Sequence, residues 1–140
     1  MSDNSPYEAP ESDISVSAGP TVLSIKEIYL SFEGRIPRKV YWLYGVLGLF
    51  IGTMLAIGVI FGLASVLGDW VGVLAIPVYI MVIWASLAIQ VKRWHDRNKS
   101  GWWVLIGLIP IVGPIWQLVE CGFLEGTPES NQFGPVPGNY

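Results

Sequence analysis

The stretch that decides the fold is Lys92-Arg93-Trp94-His95-Asp96-Arg97-Asn98-Lys99-Ser100-Gly101-Trp102-Trp103. This polar island holds four of the eight Lys and Arg residues of the chain and its single histidine. Long apolar runs with almost no charge lie on either side of it. A basic stretch with tryptophans between apolar runs of membrane length is typical of a loop at a bilayer surface, with the indole rings at headgroup depth. The sequence therefore predicts an integral membrane protein.

The composition agrees with this interpretation. Of the 140 residues, 52% are hydrophobic and 14% are charged, whereas soluble domains have about 45–50% and about 25%. Apart from the polar island, the only charges inside or between the apolar runs are Asp69 and Glu120. The basic residues lie beside the apolar runs, where membrane topology needs them, so nucleic-acid binding is not predicted. The length allows one domain at most.

Two segments precede the apolar runs. Residues 1–20 are rich in Ser, Pro and acidic residues, a composition that predicts a disordered tail. Ser24 and Glu27 have the spacing of a capping box, and apolar residues with a helical period follow them. We therefore predict a short amphipathic helix over residues 24–33 that lies on the membrane surface.

The membrane domain, residues 21–125, contains three apolar segments, at about residues 40–67, 70–91 and 102–120. The first two carry no charge and, at about 1.5 Å per residue, are long enough to cross a core of about 30 Å. Two glycines and two prolines interrupt the third segment, which is either a kinked span or a re-entrant hairpin of two half-helices. The kinked span is favoured, because crossing is the commoner fate of such a run. The predicted fold class is an all-α membrane protein.

The distribution of Lys and Arg sets the orientation of the spans. Arg35, Arg38 and Lys39 precede the first span, and the polar island joins the second to the third. Both basic clusters are predicted to be cytoplasmic, with Asp69 on the outer side. Residues 126–140 are punctuated by Gly and Pro and predict an irregular tail. The side on which the tail lies depends on whether the third segment crosses.

Three motifs follow one another around the apolar runs. They are Ser31-Phe32-Glu33-Gly34-Arg35-Ile36-Pro37-Arg38 leading into Tyr41-Trp42, Arg93-Trp94-His95-Asp96 with Ser100-Gly101-Trp102-Trp103, and Gly126-Thr127-Pro128 with Asn131 and Phe133-Gly134-Pro135. In this order they resemble the DUF805 family of small bacterial inner-membrane proteins, over roughly residues 25–137. The resemblance implies a bacterial inner-membrane location and a fold, and no reaction. Val40 stands where the family often has an acidic residue and Gln132 where it often has a basic one, so a pair between those charges would be missing here.

Six polar side chains fall at one membrane face in this topology. They form the candidate polar face: Glu33, Arg35, Arg38, Arg93, His95 and Asp96. In a structural interpretation, Asp96 caps a turn or pairs with an arginine, and the exposed bases lie against anionic lipid headgroups. In a binding interpretation, the arginines hold a lipid headgroup, a small anion or an acidic partner segment. Asn131 and Phe133 of the tail motif can join this face only if the third segment turns back.

Other functions have less support in the sequence. His95 and Asp96 could act as a general base and its orienting carboxylate, but no second His and no activated Ser or Cys lies nearby in the sequence. The region also offers few metal ligands. We expect no enzymatic activity, no metal and no cofactor.

The remaining alternatives concern the spans themselves. A transporter or channel subunit would need more polar residues within the spans than this chain has. The glycine spacings of Gly48 with Gly52 and of Gly58 with Gly62 favour close helix contact, in a homo-oligomer or with a membrane-protein partner. The sequence thus predicts a structural or interaction component of the inner membrane, with lipid or anion binding as the alternative.

Overall fold

A computed structural model describes residues 19–140 of the chain. The disordered tail predicted over residues 1–20 lies almost wholly outside these residues. The described part is helical and contains no β-strand, which confirms the all-helical prediction for it. The elements are α1 (Ile25–Leu30), α2 (Arg38–Leu67), α3 (Asp69–Asp96), a 3₁₀ helix (Gly101–Leu108) and α4 (Val112–Leu118), which continues as a π-helical turn (Val119–Phe123).

Helix α1 begins at the predicted capping box. The Ser24 hydroxyl accepts the Glu27 N–H at 3.3 Å, and the Glu27 carboxylate accepts the Ser24 N–H at 2.7 Å. The hydrogen bonds from Ser24 hold the pKa of Glu27 below its usual value. The helix ends at Leu30, earlier than predicted. At this end the Lys92 ammonium donates to the carbonyls of Glu27 (2.6 Å) and Ser31, so carbonyls left by the short helix are satisfied from α3.

Helices α2 and α3 are both long and apolar enough to cross a membrane. A tight turn at Gly68, whose φ of +98° favours glycine, separates them. Over Leu49–Leu67 of α2 no residue is buried in the chain. A helix that is apolar all round and uncovered by protein is suited to surroundings of lipid.

The third apolar segment folds back on itself. The 3₁₀ helix leaves the polar island, the chain turns at residues 109–111, and α4 returns to the island. The return is fixed at its end, where the Lys99 ammonium donates to Glu120 at 2.7 Å and Arg93 Nε donates to the Cys121 carbonyl at 2.7 Å. Among the described residues there is no third helix long enough to cross a membrane. The third span and its kink are therefore not confirmed.

The two arms of this hairpin, residues 101–123, touch through their backbones. A β-carbon on Gly113 would lie well under 3.0 Å from the carbonyl oxygen of Ile106. The side chain of Gln117 in the returning arm also donates to Gln90 of α3. The glycine is needed because no side chain fits between the arms.

The apolar core lies at the end of the helices that carries the polar island. Ile28, Ile36, Val40 and Ile89 are at most 1% exposed and form one cluster. Val40 is buried in this cluster, where an unpaired acidic side chain would be costly.

The two ends of the described chain lie side by side. The Thr21 N–H donates to the Val136 carbonyl at 3.2 Å, and the Gly138 N–H donates to the Thr21 carbonyl at 2.8 Å. The Leu23 N–H donates to the Tyr140 hydroxyl at 2.9 Å. Residues 21–23 and the end of the tail consequently occupy the same end of the molecule.

Candidate functional site

Three buried charges lie at the centre of the candidate polar face. Arg35 is 3% exposed, and its Nε and Nη2 donate to Oδ1 of Asp96 at 3.2 and 3.0 Å. Arg93 is fully buried, and its Nη1 donates to Oδ2 of the same carboxylate. One carboxylate thus accepts from two guanidinium groups through both of its oxygens. Arg35, Arg93 and Asp96 are referred to below as the buried clasp.

Arg35 holds the C-terminal tail to this clasp. Its Nη1 donates to the carbonyls of Glu129 at 2.8 Å and Gly134 at 3.3 Å. Its Nη2 donates to the carbonyl of Thr127 at 2.7 Å and to the hydroxyl of that residue at 2.9 Å. The tail therefore curves around one guanidinium group, which replaces the regular backbone hydrogen bonds that the tail lacks.

Arg93 holds the end of the hairpin in the same way. Its Nε donates to the Cys121 carbonyl at 2.7 Å, and its Nη2 donates to the Leu124 carbonyl. These are carbonyls at the end of a helical segment, which have no partners within the helix. The buried clasp consequently joins α3, the segment before α2, the hairpin and the tail.

The tail also contacts the last turn of α3 directly. The Thr127 N–H donates to the Asp96 carbonyl at 2.8 Å, and the Asn131 amide donates to the His95 carbonyl at 2.9 Å. A β-carbon on Gly126 would lie well under 3.0 Å from the Asp96 carboxylate. The glycine of the Gly-Thr-Pro motif is needed because the tail passes so close to the clasp.

His95 lies at the edge of the clasp. Its Nδ1 donates to the Gly34 carbonyl at 3.3 Å, and its ring stacks on that of Phe133 with centroids 3.9 Å apart. The tail motif residues Asn131 and Phe133 thus join the candidate polar face, as the sequence predicted for a third segment that turns back.

The other two residues of the candidate polar face lie at the surface. Glu33 is exposed. Arg38 pairs with Glu125 at 2.9 Å, with side chains that are 50% and 78% exposed. An exposed pair of this kind contributes little to stability.

Two charged residues of the site were missed by the sequence reasoning. Lys92 is fully buried against the end of α1. Glu120 is 7% exposed and accepts from Arg97 at 3.2 Å and from Lys99 at 2.7 Å. The sequence feature that could have indicated these two residues is their position beside an apolar run, because a charge there needs a partner or a path to the surface.

The hydrogen bonds limit what this site can do chemically. Every guanidinium nitrogen of Arg35 and Arg93 already donates within the chain. An anion could reach them only by displacing Asp96 or the tail. His95 and Asp96 do not form a base with an orienting carboxylate, since Nδ1 of His95 donates to a carbonyl instead. Within residues 19–140 no group of His, Cys, Asp and Glu is placed to hold a metal ion.

Replacing Arg35 by Ala is expected to release the tail. The Glu129 carbonyl, which a Glu-specific protease must attack, accepts from Arg35 in the folded protein. Losing hydrogen bonds to a charged group should raise the rate of cleavage after Glu129 by about tenfold or more. Arg38→Ala is the matched control and should leave the rate unchanged. Equal rates for the two variants in purified protein would contradict a tail held by Arg35.

Two helices that are long and apolar enough to cross a membrane, with a buried cluster of charges at one end, fit a helical membrane protein. The chain belongs to the DUF805 family, described as "Protein of unknown function (DUF805)", whose family model matches residues 29–135. This match confirms the resemblance that the three motifs indicated.

Relatives in Escherichia coli (strain K12) span nearly the same length. Inner membrane protein YhaH is 32% identical over 121 residues, which is 82% of this chain and 93% of the relative. Inner membrane protein YhaI is 29% identical over 116 residues, 82% of this chain and 92% of the relative. Uncharacterized protein YiiR is 28% identical over 138 residues, which is 80% of this chain and 89% of the relative. No solved structure matches this chain.

Proposed function

We propose that this chain is a structural or interaction component of the bacterial inner membrane that crosses the membrane twice. It would present a fixed polar cap, formed by the candidate polar face and the tail that packs on it, to the cytoplasm. The observation that carries this proposal is the set of hydrogen bonds of Arg35, which reach α3 and three carbonyls of the tail. The charged groups of the buried clasp form hydrogen bonds within the chain, so we infer that the role of these groups is to hold segments of the chain together. The cap is then a preformed surface for a partner protein.

The cytoplasmic assignment comes from the charges. Arg38 and Lys39 are the first residues of α2 and are exposed, and α3 ends within the polar island at the same end of the molecule. The turn at Asp69 at the other end carries no Lys or Arg. Basic residues beside spans favour the cytoplasmic side. Each exposed base near an anionic lipid surface would contribute about 1 kcal/mol to that placement.

The hairpin is best accounted for as re-entrant. Its 3₁₀ arm has eight residues, which at about 2.0 Å per residue reach about 16 Å, half of a core of about 30 Å. The backbone at the turn of such a hairpin is tolerated at membrane depth when protein covers it. Here the arms pack on each other, and the returning arm contacts α3 through Gln90. Residues 109–111 at the turn are exposed in this chain, so a second copy or a partner protein would have to cover them.

Other functions remain less supported by the geometry. A non-enzymatic role fits the ion pairing of Asp96 and the fixed ring of His95. A transporter subunit would have to show flux in proteoliposomes. For an oligomer, Gly52, Gly58 and Gly62 offer open space to a second helix, whereas Gly48 is covered by Tyr29.

The test is the side of the membrane on which Tyr140 lies. Alkaline phosphatase, which is active only outside the cytoplasm, and a fluorescent protein, which folds only inside it, would each be fused after Tyr140 and, in separate chains, after Asp69. We expect fluorescence without phosphatase activity after Tyr140, and the reverse after Asp69. Phosphatase activity after Tyr140 would mean three crossings and would overturn the re-entrant hairpin.

A further inference from the structure

An apolar groove of about 520 Å³ opens between the last turns of α3, the 3₁₀ arm of the hairpin and Phe32. Its size is within the range of small-molecule sites, about 300 to 1,000 Å³. Its walls are mostly apolar, with His95 and Ser100 as the polar residues among those that line it. The buried clasp does not use this groove.

The polarity of the groove changes along the axis of α3. Leu87, Val91 and His95 line it at intervals of four residues, and so lie on one face of the helix. Over these eight residues the wall passes from apolar to polar in about 12 Å. The polar end of the groove lies at the polar island, which in the proposed topology is at the depth of the lipid headgroups. A molecule with a polar head and an apolar chain, aligned with the bilayer normal, matches this gradient.

The second ring nitrogen of His95, Nε2, lies beside residues that line this groove. Nδ1 donates to the Gly34 carbonyl, so in the neutral ring Nε2 is an acceptor. A β-carbon on Gly101, which also lines the groove, would lie 3.6 Å from Nε2. Phe133 stacks on the ring at an interplanar angle of 4° and fixes its orientation. Among the hydrogen bonds of the described residues, Nε2 has no partner.

We propose that this groove binds one phosphatidylethanolamine molecule of the cytoplasmic leaflet. The lipid ammonium would donate to Nε2 of His95, and the Ser100 hydroxyl would donate to the phosphate. One acyl chain would lie along Val91 and Leu87. No Lys or Arg is among the described residues that line the groove, so a zwitterionic headgroup is favoured over an anionic one. A choline headgroup has no N–H to donate. The leaflet in this inference rests on the proposed function.

The test is lipid retention by purified protein in detergent, measured by native mass spectrometry. Dioleoyl phosphatidylethanolamine, phosphatidylglycerol and phosphatidylcholine would be added separately at equal concentration. We expect one bound phosphatidylethanolamine, held about tenfold more tightly than phosphatidylcholine, the effect of one hydrogen bond from a charged donor. Equal retention of all three lipids, or preference for phosphatidylglycerol, would overturn the proposal.

Two variants assign the binding to this groove. Val104→Trp fills it and should abolish the preference, whereas Val59→Trp, the same change at an exposed position of α2, should keep it. His95→Asn retains an N–H near the Gly34 carbonyl but removes Nε2, and should reduce retention about tenfold. Preference that survives both Val104→Trp and His95→Asn would place the lipid elsewhere. These measurements do not depend on sidedness, so their failure is distinct from failure of the two-crossing topology.

Discussion

Replacement of Asp96 by Ala is expected to lower the free energy of unfolding by about 3 to 5 kcal/mol, the cost of leaving a buried charge without its partner. Asp96 is 3% exposed and accepts from both arginines of the buried clasp. Without it, two guanidinium groups lie close together with no counter-charge. The measurement is the midpoint of SDS-induced unfolding of the purified protein in a mild detergent.

Glu125→Ala is the matched control for this variant. It also removes a carboxylate paired with an arginine, Arg38, but the Glu125 side chain is 78% exposed. The expected change is at most about 1 kcal/mol. If Asp96→Ala unfolded at the same midpoint as Glu125→Ala, the buried clasp would not be a source of stability.

Replacement of Gly113 by Ala is expected to open the hairpin. The added carbon would lie well under 3.0 Å from the Ile106 carbonyl oxygen, a backbone atom that cannot rotate away. Overpacking of this kind costs about 1 to 3 kcal/mol and sometimes more. The single cysteine of the chain, Cys121, is fully buried at the end of the hairpin, so its labelling by a membrane-permeant maleimide reports opening.

The control for this second variant is Gly52→Ala in α2. No atom lies within 4 Å of a β-carbon at Gly52, so the thiol should stay protected there. We expect Cys121 to be labelled at least about tenfold faster in Gly113→Ala, as a loss of about 1.4 kcal/mol would produce. A Gly113→Ala protein that labels like the parent would contradict the close contact of the arms.

Much of the fold could be predicted because its signals are local. The apolar runs before and after Asp69 are long and uncharged, which leaves membrane-length helices as the interpretation. The capping box of Ser24 and Glu27 is complete within one turn. The end of α1 at Leu30 has a contact that is not local, because the Lys92 ammonium that binds the Glu27 carbonyl comes 65 residues later in the chain.

The sequence favours a kinked span for the third segment over a re-entrant hairpin, and that span is not confirmed. Its prolines and glycines permit either a kinked span or a hairpin, and the contact of Gly113 with Ile106 is tertiary. Whether the tail reaches the buried clasp depends on the direction of this segment. Arg35, Arg93 and Asp96 could be placed at one face from their positions beside the spans, but Thr127 becomes a partner of Arg35 only when the hairpin returns.

The hydrogen bonds between Arg35 and the tail set an order of events during synthesis. Arg35 leaves the ribosome 92 residues before Thr127, its partner. Until the tail emerges, Arg35 lacks its carbonyl partners, although α2 and α3 have already been made. In a nascent chain that stops before residue 127, Arg35 would have Asp96 as its partner, and its Nη1 would lack the carbonyls of Glu129 and Gly134.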